Sequence, residues 1–173
     1  MKLHDILVGC LAIVLATAVA GAEANAKTVK APSKTASLKV TSKAQALKKY
    51  ENLTSLSDSQ LRDLLKNVGF DGRSLKMAWA IAKAETNGRP LAFNGNRKTG
   101  DSSYGIFQIN MIGALGPERR DKFDLNSNVE LFNPVKNAEV ALHMSGSGSD
   151  WSAWKNGQTP RVRHFLKVYD NIF

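Results

Sequence analysis

Glu85 stands at the end of ten residues that are mostly apolar, with Leu75, Met77, Ala78, Trp79, Ala80, Ile81, Ala82 and Ala84 before it. A carboxylate at that end of a helix faces the negative pole of the helix dipole, and apolar neighbours also disfavour its charge. Both effects raise its pKa, which is what a general acid near neutral pH requires. A solvated glutamate in a fraying last turn has the same local sequence, so Glu85 must be weighed with its partners. Eighteen residues on begins the β-prone run Ser103-Tyr104-Gly105-Ile106-Phe107-Gln108-Ile109-Asn110. Read as one strand, its alternation puts Tyr104, Ile106, Gln108 and Asn110 on a common face. Trp151 and Trp154, three apart, suit either an aromatic wall or a core. The single cysteine, Cys10, excludes a disulfide framework and any zinc site needing two thiolates. His4, His143 and His164 lie far apart without ligand spacing and read as structural or surface residues. Neither metal nor cofactor is expected.

The elements that must position these residues are mostly helical. Ser57-Asp58-Ser59-Gln60 followed by Leu61, Leu64 and Leu65 reads as a capped amphipathic helix. Gly69 to Gly72 is a turn, and Ser74 to Glu85 is apolar on most sides, as a central buried helix is. Gly88 and Pro90 stop it. Leu91 to Asn110 has turn residues and then the β-prone run, which predicts a small hairpin. Helices return after Gly113 and Gly116, most clearly over Val135 to Met144 and Arg161 to Ile172. Ser145-Gly146-Ser147-Gly148-Ser149 is expected to be a flexible link. The predicted class is mainly α, with a small hairpin beside a groove.

Taken together, Ala84-Glu85-Thr86-Asn87-Gly88 and Gly100-Asp101-Ser102-Ser103-Tyr104-Gly105-Ile106-Phe107-Gln108-Ile109-Asn110 resemble the lysozyme-like superfamily. The resemblance is to soluble-type (SLT) lytic transglycosylases, including those of phage virions and secretion systems. Leu131-Phe132-Asn133-Pro134 with Asn137 and Ala138 is similar to that family's Asp-Pro-x-x-Asn signature, with Asn133 in place of Asp. The likeness covers roughly Leu61 to Gly157. It implies an α+β lysozyme-like fold with Glu85 as catalytic acid and Ser103, Tyr104, Gln108 and Asn110 along the sugar groove. Gln108 would hydrogen-bond an N-acetyl group. Trp154 of Ala153-Trp154-Lys155-Asn156-Gly157 replaces a tyrosine of the family's Ala-Tyr-Asn-x-Gly, and it supplies an aromatic face without a phenolic hydroxyl. Animal-type lysozymes carry an Asp just before this Tyr-Gly-Ile, and here that position is Ser103. With one secure carboxylate, the transglycosylase route to 1,6-anhydro-muramoyl ends is favoured over two-carboxylate hydrolysis.

The 173 residues divide by composition into three zones. Lys2, the apolar run Ile6 to Gly21, and Ala-Asn-Ala ending at Ala26 read as an export signal over residues 1–26, with Ala20 an alternative cleavage point. Leu7-Val8-Gly9-Cys10 comes too early in that run for a lipoprotein box. The apolar run is too short for a membrane span, so none is expected in the mature chain. Residues 27–49 hold seven lysines and no acid, and are expected to be a flexible basic linker. Those lysines carry +7 of the net +9 and residues 1–26 carry −1, which leaves +3 for the domain expected over 50–173. No aromatics interleave the lysines, so a specific nucleic-acid partner is not expected; electrostatic contact with an anionic envelope surface fits better.

The sequence is thus the one expected of an exported, periplasmic or secreted monomer acting on peptidoglycan glycan strands, as a lytic transglycosylase. A hydrolytic lysozyme using Glu85 with Asp101, Asp121, Asp124 or Asp150 is the enzymatic alternative. A non-catalytic wall-binding protein is the alternative from another class.

Overall fold

The computed structural model describes residues 42–96 and 98–173. The expected export signal and residues 27–41 of the expected linker lie outside them. Helix α1 covers residues 42–48, inside the stretch expected to be linker. Leu47 and Tyr50 are buried there, and Lys43 Nζ donates to Val68 O at 2.9 Å. Residues 42–48 are therefore helical, because one apolar face pulls the end of the lysine stretch onto the core.

Five further helices follow: α2 (Asp58–Val68), α3 (Gly72–Thr86), α4 (Leu115–Phe123), α5 (Pro134–Met144) and α6 (Pro160–Ile172). Short 3-10 helices cover Asn128–Phe132 and Ser152–Gly157. The start of α2 is set by a capping box, in which Ser57 Oγ accepts from Gln60 N and Gln60 Oε1 accepts from Ser57 N. Its apolar side, Leu61, Leu64, Leu65 and Val68, is fully sheathed. α3 is buried almost all round and lies between α2 and α6, as its composition predicts. Trp79 has no exposed surface; its Nε1 donates to Asp58 O at 3.1 Å, and Phe165, Tyr169 and Phe173 meet its ring edge-on. Lys83, also buried, pairs with Asp58 at 2.7 Å. Asn87 ends α3 in the left-handed region at φ 56, donating its N–H to Lys83 O.

The sheet has three two-residue strands in the order β1 (Phe93–Asn94), β2 (Ser103–Tyr104), β3 (Ile109–Asn110), all antiparallel. Tyr104 to Asn110 is therefore not one strand. Ser103 pairs with Asn110 and Tyr104 with Ile109 across a four-residue turn, Gly105 to Gln108, that buries Ile106 and Phe107 completely. The two-residue alternation assumed from sequence fails here because the chain reverses into the core.

What holds the turn is Asn137, fully buried on α5. Its Oδ1 accepts from Phe107 N at 2.9 Å, and its Nδ2 donates to Tyr104 O at 2.9 Å and to Leu131 O at 3.0 Å. Asn133 caps the same helix by accepting from Val135 N and Lys136 N, so the Asn-for-Asp replacement keeps the cap. Gly105 sits at φ 73 with no room for a side chain: a Cβ there would lie 2.2 Å from Leu131 O and 2.3 Å from Asn137 Nδ2. Residues 145–149 are an ordered turn and not a flexible link. Ser145 is fully buried and Gly148 O accepts from Trp151 Nε1 at 3.0 Å.

Removing the clamp should be expensive. Asn137→Ala leaves Phe107 N–H and two carbonyls unpaired and should cost about 3–5 kcal/mol. Gly105→Ala should cost about 2–4 kcal/mol through steric overlap and backbone strain. Urea unfolding checks both, read as a lower midpoint at unchanged slope.

Candidate active site

Glu85 is the second-last residue of α3, where the apolar run predicts it. Thr86, buried beside it, fixes that helix end. Its Oγ1 lies 3.3 Å from Ala82 O and donates to Ile106 O at 3.1 Å, joining α3 to the Gly105–Gln108 turn. The acid and the turn are thereby held as one piece.

Two hollows meet at Glu85. One, of about 450 Å³, is lined by Thr54, Thr86, Arg89, Leu91, Ala92 and Phe93 together with Glu85 and Gln108. The other, of about 300 Å³, is lined by Asn94, Asp101, Ser103, Asn110, Ala153 and Trp154 together with the same Glu85 and Gln108. A ligand lying through both would cross the acid at its middle. Leu91 and Phe93 expose more than half of their surface on the rim of the first.

Five positions expected along the groove fare differently. Gln108 lines both hollows together with Glu85, although in the left-handed region at φ 49 and not on a strand. Its Nε2 donates to Ala92 O and Gly105 O at 3.2 and 3.1 Å, which directs the amide and leaves Oε1 as an acceptor. Ser103 is buried in the second hollow, its Oγ 3.4 Å from Asp101 Oδ1. Asn110 lines the same hollow, but its amide is spent on the backbone of Ser102, Ile112 and Gly100. Trp154 is both wall and core: nearly buried, it faces the second hollow and donates Nε1–H to Phe107 O at 2.9 Å. Tyr104 is not brought to Glu85. Its ring is held between Phe93 and Phe132, and it lines a separate hollow of about 480 Å³ with Asp101, Met111 and Ile112. His143 and His164 line none of these hollows; each ring meets a phenylalanine edge-on.

The Glu85 carboxyl is held above the usual carboxylate range. Desolvation by the groove walls is the largest cause; the cations Arg161 and Lys155 act against it, and Asp101 adds to the rise. The residue as a whole is exposed because the groove is open, so the rise is that of a partly solvated acid. Among the described residues no side chain or backbone group donates a hydrogen bond to it, and no cluster of three or more metal-ligating side chains occurs. Thr86, Asn137 and Phe93 escaped candidate status in the sequence. Thr86 and Asn137 lie inside the quoted motifs, but their role is to anchor backbone, and Phe93 has no local signal beyond being aromatic.

A family model described as a lysozyme-like domain matches residues 62–156, more than half of the chain. Over 57 residues the chain is 42% identical to lysozyme C, milk isozyme, of the dog (Canis lupus familiaris), which is 31% of this chain and 44% of that protein. The chain therefore spans less than half the length of that relative. No solved structure matches it. The matched span contains Glu85, the Gly105–Gln108 turn, the Asn137 clamp and Trp154, and on that match the chain belongs to the lysozyme-like superfamily, in its SLT-type branch.

Proposed function

We propose that the chain cleaves the MurNAc–GlcNAc β-1,4 linkage of peptidoglycan as a lytic transglycosylase, with Glu85 as acid and then base. The observation that carries this is one accessible carboxyl with a raised pKa, shared by two hollows that Gln108 also lines. Glu85 protonates the glycosidic oxygen as the C1–O bond breaks, and the muramoyl acetamido oxygen supports the developing charge at C1. The resulting carboxylate takes the proton of the C6 hydroxyl, whose oxygen bonds to C1 and closes the 1,6-anhydro ring. That restores the acid. Gln108 Oε1 accepts from an acetamido N–H; Ser103, Asn110 and Trp154 shape the floor and wall; Tyr104 contributes to a more distant stretch of the groove. Export through a signal over residues 1–26, followed by a basic tether, would deliver the domain to the wall.

A hydrolytic reading has one specific observation in its favour. Asp101 lines the same hollow as Glu85, and its charge raises the Glu85 pKa. In that reading Asp101 is the second carboxylate, water supplies the oxygen, and the product is a reducing MurNAc end.

The wild type should clear a peptidoglycan zymogram and release anhydro-muramoyl products by mass spectrometry. Glu85→Gln should lower activity about a thousandfold while remaining folded. Reducing ends alone would establish the hydrolase, and wall binding with no clearing by the wild type would establish a binding protein. Activity should fall as pH rises through the raised Glu85 pKa, because the general acid must be protonated. Asp101→Asn removes a charge that holds that pKa up, so the alkaline limb of kcat/KM should move to lower pH with turnover retained. A hydrolase dependent on Asp101 would instead lose turnover at every pH.

A further inference from the structure

One flank of the groove is basic, and its two cations form no ion pair or side-chain hydrogen bond among the described residues. Trp154 lines the hollow with Glu85, and Lys155 follows it at φ 53, a left-handed conformation uncommon for a residue other than glycine. The same short helix ends at Gly157, where a Cβ would lie 2.6 Å from Met77 Sδ and 3.8 Å from Val162 Cγ1. Met77, Ile81 and Glu85 recur at helical spacing of four, so this contact seats the first turn of α6 against the α3 face that carries the acid. Arg161 is in that turn.

The side chains of Lys155 and Arg161 are exposed, and neither makes a hydrogen bond or ion pair with another described residue. Nearby cations differ: Lys76 pairs with Asp170, Lys83 pairs with Asp58, and Arg163 donates to Gln158 O. Arg161 also stands at the positive end of the α6 dipole, in a first turn without an acid. That placement works against helix stability. It concentrates positive potential beside the groove, and Glu85 feels both charges, Arg161 the more strongly.

We infer that Lys155 and Arg161 form an anion-recognition flank that takes a free carboxylate of the stem peptide on the muramoyl lactyl group; this rests on the peptidoglycan reading above. In the intact strand the lactyl carboxyl is tied up as the amide to the stem, so the sugars are uncharged, whereas the stem peptides carry carboxylates. Two unpaired cations beside the acid therefore have their complement on the substrate's side branch and not on its backbone. The flank makes the site selective for peptide-bearing strands over bare glycan.

The test compares wild type with the Lys155→Gln/Arg161→Gln double variant on three substrates: intact peptide-bearing strands, strands with stem carboxylates converted to amides, and bare strands with stems removed and the lactyl carboxyls so freed converted to amides. The readout is the ratio of kcat/KM values between substrates, which cancels any change in Glu85 protonation. Wild type should prefer the intact strands roughly tenfold over both others, and the double variant should lose that preference. A preference that survives amidation, or equal loss on all three substrates in the double variant, would overturn the flank. So would equal wild-type rates on all three, while cleavage of bare glycan still upholds the peptidoglycan reading. No cleavage of any substrate by the wild type would overturn both.

Discussion

The Asn137 carboxamide is the contact on which the groove depends. It satisfies Phe107 N–H, Tyr104 O and Leu131 O at once, at 2.9–3.0 Å, from a position with no solvent exposure. A buried amide with three good bonds is stabilising, and leaving it half satisfied would be costly. The Gly105–Gln108 reversal has few hydrogen bonds of its own, so without this partner its backbone groups would be stranded in an apolar interior. Gly105 permits the approach, Ile106 and Phe107 fill the core beneath, and Gln108 is turned outward into the groove.

Thr86 carries the same constraint across to the acid. Because its hydroxyl reaches Ile106 O, the end of α3 and the turn move together, and the spacing of Glu85 from Gln108 is set by packing and not by loop motion. Trp154 adds a third tie through Phe107 O. These three side chains come from different elements, and all of them bind backbone of one short segment. Such convergence gives a polar site a rigid frame without a disulfide, and the described residues contain no cysteine.

The electrostatics of Glu85 follow from competition within that frame. Walls that exclude water raise its pKa, while Arg161 and Lys155 hold the rise in check. A general acid benefits from a pKa lifted toward its working pH, but one lifted far above it would make a reluctant base in the second half of the reaction. In the proposed reaction the two cations at the groove flank would meet both demands.

Much was legible from residues alone. The Ser57 capping box, the apolar circumference of α3, the position of Glu85 in its last turn and the helices ending at Met144 and Ile172 all express short-range rules of periodicity and capping. The apolar face that draws 42–48 onto the core was hidden by lysines, because composition averages over faces. The continuous strand over Tyr104–Asn110 was an error of the same kind, since alternation cannot reveal that Asn137, thirty residues away, bends the chain into the interior. Sequence by itself determined α2, α3, α5 and α6, the place of Glu85 at the end of α3, and the family. Tertiary structure alone decided which side chains line the two hollows at Glu85, why Tyr104 does not, and which cations stand beside them. Helix ends and apolar stripes are set by neighbours a few residues apart, whereas the groove consists of contacts between segments that only the packed core brings together.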